Sequence, residues 1–212
     1  MKDRVPGDIE SRLLPVVEEL LFENGYAGLN IRDVAKRTGM GPATIYKYFG
    51  SKELLALRIL QNQDETIARV VAMAIPAAGP VKTKWRAFYA GLLNYYDEHP
   101  NVAVIQNMAM PTNTWFLPES KWPVIALTRI IRDLIREGRA TRELDPVVSD
   151  NQVMATHYMH LVREVRLWRS RDMRWRLADR IDQFFPILWK TISSPAPGPD
   201  ALGPDAPGPR SR

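Results

Sequence analysis

Five cations, Arg32, Lys36, Arg37, Lys47 and Lys52, fall inside one stretch, LNIRDVAKRTGMGPATIYKYFGSKELL, among glycines, hydroxyls and tyrosines. That mixture suits a polyanion: cations and hydroxyls reach phosphate oxygens, while compact residues let a helix approach base edges. The segment is therefore expected to hold DNA. Little else competes as a chemical site. The chain has no cysteine, which excludes disulfides and thiolate metal sites and agrees with a reducing compartment. It has no G-x-S-x-G elbow and no Walker loop, and GMGPAT lies between short helices instead of following a strand. His157, His160 and Glu164 share a helical face, but two imidazoles and one acid without a second-helix partner are a poor metal set, and polar packing explains them. Neither enzymatic activity, a metal nor another cofactor is expected.

Charge is localised. Residues 24–60 carry six Lys or Arg against two acids, whereas residues 1–23 carry three against six. A second arginine run, Arg163, Arg166, Arg169, Arg171, Arg174 and Arg176, reads as a solvated helix face. With 212 residues and 45% apolar content the chain can bury a real core. No apolar run approaches the ~18 residues of a membrane span, and the charged start MKDRVPGDIESR does not suit a signal peptide. The expected location is the cytoplasm, with no membrane partner.

The elements that must position the basic segment are helices, since apolar residues recur at helical spacing and no hairpin pattern appears. Ile9, Leu13, Val16, Val17, Leu20 and Leu21 form a first stripe, stopped at Gly25, with Pro15 predicting a late start or a kink. Asn30 caps a second helix that ends at Gly39, and Gly41-Pro42 open a third, to about Tyr48. Gly50 breaks it and Ser51 caps a long fourth helix ending before Pro76. A short helix, a glycine turn and a second short helix make a helix-turn-helix, with Ile45 and Phe49 kept for the core.

Further helices are predicted over the KTKWRAFYAGLLNYYDEH stretch, from Asn101, from Val124 to near Gly138, and over about 148–169 and 172–192, the last bent at Pro186. MPTNTWFLPES reads as a loop. The fold class expected is all-α: an N-terminal helix-turn-helix DNA-binding domain (1–52), a larger C-terminal helical domain (53–193) and a disordered Pro/Gly-rich tail (194–212).

The stretch LLFENGYAGLNIRDVAKRTGMGPATIYKYFGSKELL resembles the tetracycline-repressor (TetR) family of bacterial transcriptional regulators, whose pattern runs G-Y/F-x-x-x, I-A-x-x-x-G and T-I/L-Y-x-Y/H-F-x-S/N-K-E. Val34 replaces a common Ile, and Gly41 stands where many relatives carry Ser. The resemblance implies that Arg32 reaches a base edge or phosphate. Gly41, Pro42, Ala43, Thr44 and Lys47 would lie along the base- and backbone-facing side of the recognition helix, and Tyr46, Tyr48 and Lys52 would hold phosphates. It also implies a homodimer on a palindromic double-stranded operator, and a C-terminal domain that binds a small-molecule effector.

Candidate lining residues for that effector are Trp85, Phe88, Tyr89, Leu92, Tyr96, Met108, Met110, Trp115, Phe116, Trp122, Met154 and Tyr158, with Gln106, Asn107, Asn113 and His157 as polar groups. Ordinary core packing explains the same residues. Val153, Leu161, Val165, Trp168, Trp175, Ile181, Phe184 and Leu188 are the expected dimer interface. The competing function is a ligand-independent or architectural DNA-binding protein.

Overall fold

The structure, a computed structural model, describes residues 6–109 and 126–194. The MPTNTWFLPES loop, Met110, Asn113, Trp115, Phe116 and Trp122, and all but the first residue of the Pro/Gly-rich tail lie outside them. The described residues form nine α-helices and no strand: α1 Gly7–Gly28, α2 Ile31–Thr38, α3 Pro42–Phe49, α4 Lys52–Ala74, α5 Val81–Glu98, α6 Pro100–Val104, α7 Ala126–Ala140, α8 Asp150–Ser170 and α9 Ile181–Ile192. A π-helical turn, Ile105–Ala109, continues α6. Among the described residues no helix is long and apolar enough to cross a membrane.

Pro15 neither delays nor breaks α1. The helix begins at Gly7 and carries the proline in its interior, and its departure from helical geometry falls at Gly25 (φ 63°, ψ −177°). An interior proline costs a helix about 3 kcal/mol; burial of Leu13, Val17, Leu20 and Leu21 on the same helix offsets it. The last predicted helix is also shorter than expected. Asp172 and Met173 take positive φ (54° each), and Asp97 accepts from the N–H groups of Leu177 (2.6 Å) and Ala178 (3.0 Å). These features hold residues 172–177 outside any helix, and a 3-10 turn, Ala178–Arg180, leads into α9.

Two apolar cores result. The first joins Leu13, Val17, Leu20 and Leu21 of α1 to Ile31 and Val34 of α2, Ile45 and Phe49 of α3, and Leu55 and Ile59 of α4. The second gathers Ile67 and Val71 of α4 with the aromatic face of α5, with α7 and with the inner faces of α8 and α9. α4 thus belongs to both. Ile105, in the π-helical turn, is completely buried in the first core although its neighbours Val102 and Ala103 pack in the second.

Polar bonds fasten the same junction. Glu18 of α1 accepts from Gln63 Nε2 (3.0 Å) and Asn101 Nδ2 (2.7 Å). Gln106 Nε2 donates to the Leu60 carbonyl (2.9 Å) and to Gln63 Oε1 (3.2 Å). The Arg169 guanidinium lies 4.9 Å from the Phe22 ring centre, joining α8 to α1.

The expected dimer stripe is used inside one chain. Val153, Leu161, Val165, Trp168, Ile181, Phe184 and Leu188 are all buried, and Trp175 is half-buried. They face the second core because α8 and α9 must cover α5. The large apolar side chains that these two helices leave exposed are Met159 (70% exposed) and Ile187 (61% exposed).

Candidate nucleic-acid interface

The helix-turn-helix is held by its caps. Asn30 Oδ1 accepts from the Arg32 N–H at 2.9 Å, fixing the first turn of α2, and Gly39 (φ 68°) ends that helix in the left-handed conformation a side chain would disfavour. Arg12 of α1 donates to the Thr38 carbonyl (2.9 Å), closing the other end of α2. Gly41 is the N-cap of α3, with Pro42 at its first position, and Ser51 Oγ caps α4 by accepting from the Leu54 N–H (3.1 Å).

With Ile45 and Phe49 buried, α3 turns Pro42, Ala43, Thr44, Tyr46 and Lys47 outward, and Gly41 is exposed beside them. Arg32 is exposed at the start of α2. Tyr48 is half-buried against the first core, with the Lys47 ammonium 5.4 Å from its ring centre. Lys52 is half-buried: its ammonium donates to the Tyr26 carbonyl at 3.1 Å and lies 4.5 Å from the Tyr26 ring centre. Arg32, Tyr46, Pro42 and Lys52, with residues 27–31, ring a depression of about 570 Å³. The amino terminus of α2 opens there, adding a positive dipole end.

The local basic patch divides into two sets. Arg37 pairs with Glu19 (3.2 Å) and Glu23 (3.7 Å), and Arg58 with Glu10 (3.0 Å), so both serve helix packing. Arg32, Lys36 and Lys47 are exposed and make no ion pair among the described residues. Sequence reasoning missed the Lys52–Tyr26 and Arg12–Thr38 contacts, because both join residues 26 apart in the chain. Half of the downstream arginine run has polar partners: Arg163 with buried Glu164, which Arg180 also meets, Arg174 with Asp172, and Arg176 with Asn94.

Of the effector candidates, Trp85, Phe88, Tyr89, Leu92 and Tyr96 are buried on α5. Their rings meet: Phe88–Tyr89 centres are 5.4 Å apart and Tyr89–His157 centres 5.5 Å. Tyr89 Oη and His157 Nδ1 share a 2.6 Å hydrogen bond. Burial, helped by His160, lowers the His157 pKa to about 3, so the imidazole is neutral. His160 Nδ1 is instead hydrogen-bonded within its own helix, to the Thr156 carbonyl (2.8 Å). Gln106 is spent on α4, Asn107 donates to the Ala103 carbonyl (2.8 Å), and Met108, Met154 and Tyr158 are half-buried.

Asp64, which the sequence reading passed over, is 2% exposed on α4. Its Oδ2 accepts from the Ala126 and Leu127 N–H groups at the start of α7. Burial, opposed by these two donors and by Arg129 and reinforced by Glu65, lifts its pKa to about 6 from 3.8. The folded protein therefore holds this proton more tightly than the unfolded chain does. The contribution to stability is full below about pH 4 and is lost as pH rises through about 6. Asp64→Asn, which keeps an oxygen for α7, is expected to gain about 2–3 kcal/mol on the wild type between those limits. Urea melts of both proteins across that range check it: a difference independent of pH means the carboxyl is not shifted.

An exposed second helix of a helix-turn-helix, with cations beside it and a second helical domain behind it, defines a DNA-binding regulator. The sequence model described as "Bacterial regulatory proteins, tetR family" matches residues 14–59. The chain is 30% identical over 146 residues to the HTH-type transcriptional regulator EthR of Mycobacterium tuberculosis (strain ATCC 25618 / H37Rv), covering 65% of this chain and 66% of EthR. The fold matches the fatty acid degradation regulator FadR from Bacillus halodurans, with TM-score 0.68 at 16% identity over 88% of this chain and 97% of FadR. It also matches FadR from Bacillus subtilis, solved in complex with stearoyl-CoA, with TM-score 0.61 at 16% identity over 84% and 96%. This chain belongs to the TetR family of bacterial transcriptional regulators.

Proposed function

We propose that the protein is a cytoplasmic transcriptional repressor that binds a palindromic operator as a homodimer and is released by a small, largely apolar effector. Residues 1–52 would bind DNA and residues 53–193 would sense the effector and dimerise. The observation that carries the DNA reading is the outward set on α2 and α3, Arg32, Thr44, Tyr46 and Lys47, flanking the depression that holds Lys52. Gly41, Pro42 and Ala43 keep the start of α3 slim enough to approach base edges, and half-buried Tyr48 would hold a phosphate. Met159 and Ile187, exposed on adjacent α8 and α9, support a twofold contact between these helices.

The effector reading has support from α4, which is shared by both cores and so passes a displacement from one to the other. An effector releases DNA only by binding the DNA-free conformation more tightly, and DNA weakens effector binding by the same factor. The ring-to-ring packing of Trp85, Phe88, Tyr89 and His157 favours a second reading, a ligand-independent DNA-binding protein. Operator binding indifferent to every metabolite tried would select it.

Selection of the purified protein against random duplex DNA tests the function, with a palindromic consensus expected. Alanine at Arg32 or Lys47 should blur one or two operator positions, at about 1–3 kcal/mol for a lost bidentate contact. Lys52→Ala should weaken all sequences about equally. Unchanged selected operators for the Arg32 and Lys47 variants would remove those two residues from base readout.

A further inference from the structure

We propose that Asp64 is the polar anchor of a small-molecule site in the C-terminal domain, whose ligands carry a protonated amine on an apolar body. The inference rests on the effector reading and gives that effector a chemical class.

Asp64 has more capacity than the fold uses. One oxygen caps α7 through the Ala126 and Leu127 N–H groups; the other, Oδ1, is buried with no hydrogen-bond partner among the described residues. Buried polar atoms are rarely left unpaired, because desolvation without a partner costs free energy. An asparagine would cap α7 equally well and carry no charge. A carboxylate kept at such a position, with one free oxygen, is matched to a donor from outside the fold.

The surroundings say which donor. Polar groups from three other elements surround Asp64: Tyr96 of α5, Tyr158 of α8 and, next to the Leu127 donor, Thr128 of α7. Asn107 of the π-helical turn acts on Tyr96 while its amide donates to the Ala103 carbonyl, and Thr128 Oγ1 lies 3.3 Å from Tyr158 Oη. Asp64 is close enough that its charge disfavours ionisation of both phenols. The other charges that act on it, Glu65 and Arg129, oppose one another. A neutral hydroxyl on a ligand would satisfy the free oxygen and leave the buried charge; a carboxylate would add a second one. An ammonium supplies both the donor and the opposite charge, and the phenol rings offer it a favourable face. Because the same carboxylate ties α4 to α7, a ligand drawn to Oδ1 acts on the helix that the two cores share.

The test uses the full chain and calorimetric titration with 2-phenylethylamine, tryptamine and hexylamine, against 2-phenylethanol and 3-phenylpropionate. The amines should bind at least about tenfold more tightly than the alcohol, a difference of about 1.4 kcal/mol, and the acid should not bind. Asp64→Asn should bring phenylethylamine and phenylethanol to equal affinity, while Glu65→Gln, a change at an exposed neighbour, should keep the preference. No saturable heat from any of the amines, equal binding of amine and alcohol by the wild type, or a preference that survives Asp64→Asn would each overturn the proposal. Operator binding measured in parallel separates the two readings. Asp64-dependent amine binding that leaves operator affinity untouched keeps the site and removes its effector role. Operator release by the alcohol without amine preference keeps an effector-responsive protein and removes the amine site.

Discussion

Operator affinity should fall about a thousandfold as monovalent salt rises from about 50 to about 200 mM, the loss expected when about six phosphates are neutralised. Each protomer offers Arg32, Lys36 and Lys47 exposed and free of acidic partners among the described residues, with Lys52 beside them at the depression. The two protomers of the proposed dimer would supply enough cations for about six contacts without recruiting Arg37 or Arg58, which pair with acids of α1. Fluorescence anisotropy on a labelled operator reads the slope directly. Lys52→Ala should make it shallower by about two counterions per dimer, one from each recognition unit. A slope near zero would mean that the face does not meet the phosphate backbone.

Ile105→Ala should cost about 3 kcal/mol of stability, because a completely buried isoleucine leaves a cavity in the first core. Its interest lies in where the loss appears. Ile105 follows α6, far along the chain from the helix-turn-helix, but it packs with α1–α4. Hydrogen exchange should therefore quicken in α1, α2 and α3 more than in α9, and operator affinity should drop although no DNA-facing residue has changed. Ile187→Ala, at a 61% exposed position, should stay within about 0.5 kcal/mol in the isolated protomer. Equal exchange in all helices would mean that Ile105 supports no particular core.

Local signals were legible where a single residue dictates backbone geometry. Asn30, Gly39, Gly41-Pro42, Gly50 and Ser51 each act within one turn of themselves, and the helix boundaries from α2 to the start of α4 fall where those residues place them. The burial of Ile45 and Phe49 followed from spacing in the same way. Pro15 misled because a local rule met a tertiary one: the packing of α1 outweighs the missing hydrogen bond. The expected dimer stripe failed for a related reason. Periodicity says which face of α8 and α9 is apolar, but it does not say whether that face meets the chain's own α5 or a second copy. Asp64 was invisible because its significance depends on α7, some sixty residues further on, arriving with two unpaired N–H groups.

Lys52 adds a consequence for how such a protein finds its target. Its ammonium already has an acceptor in the Tyr26 carbonyl and a ring to lie against. Any phosphate that takes this lysine gains only the difference between the two partners. That smaller gain would apply on every duplex, fitted or arbitrary, because a phosphate carries no sequence information. A lysine satisfied at home would thus shorten each stay on irrelevant sequence without altering the preference between sites, leaving more of the protein's time for sampling new positions.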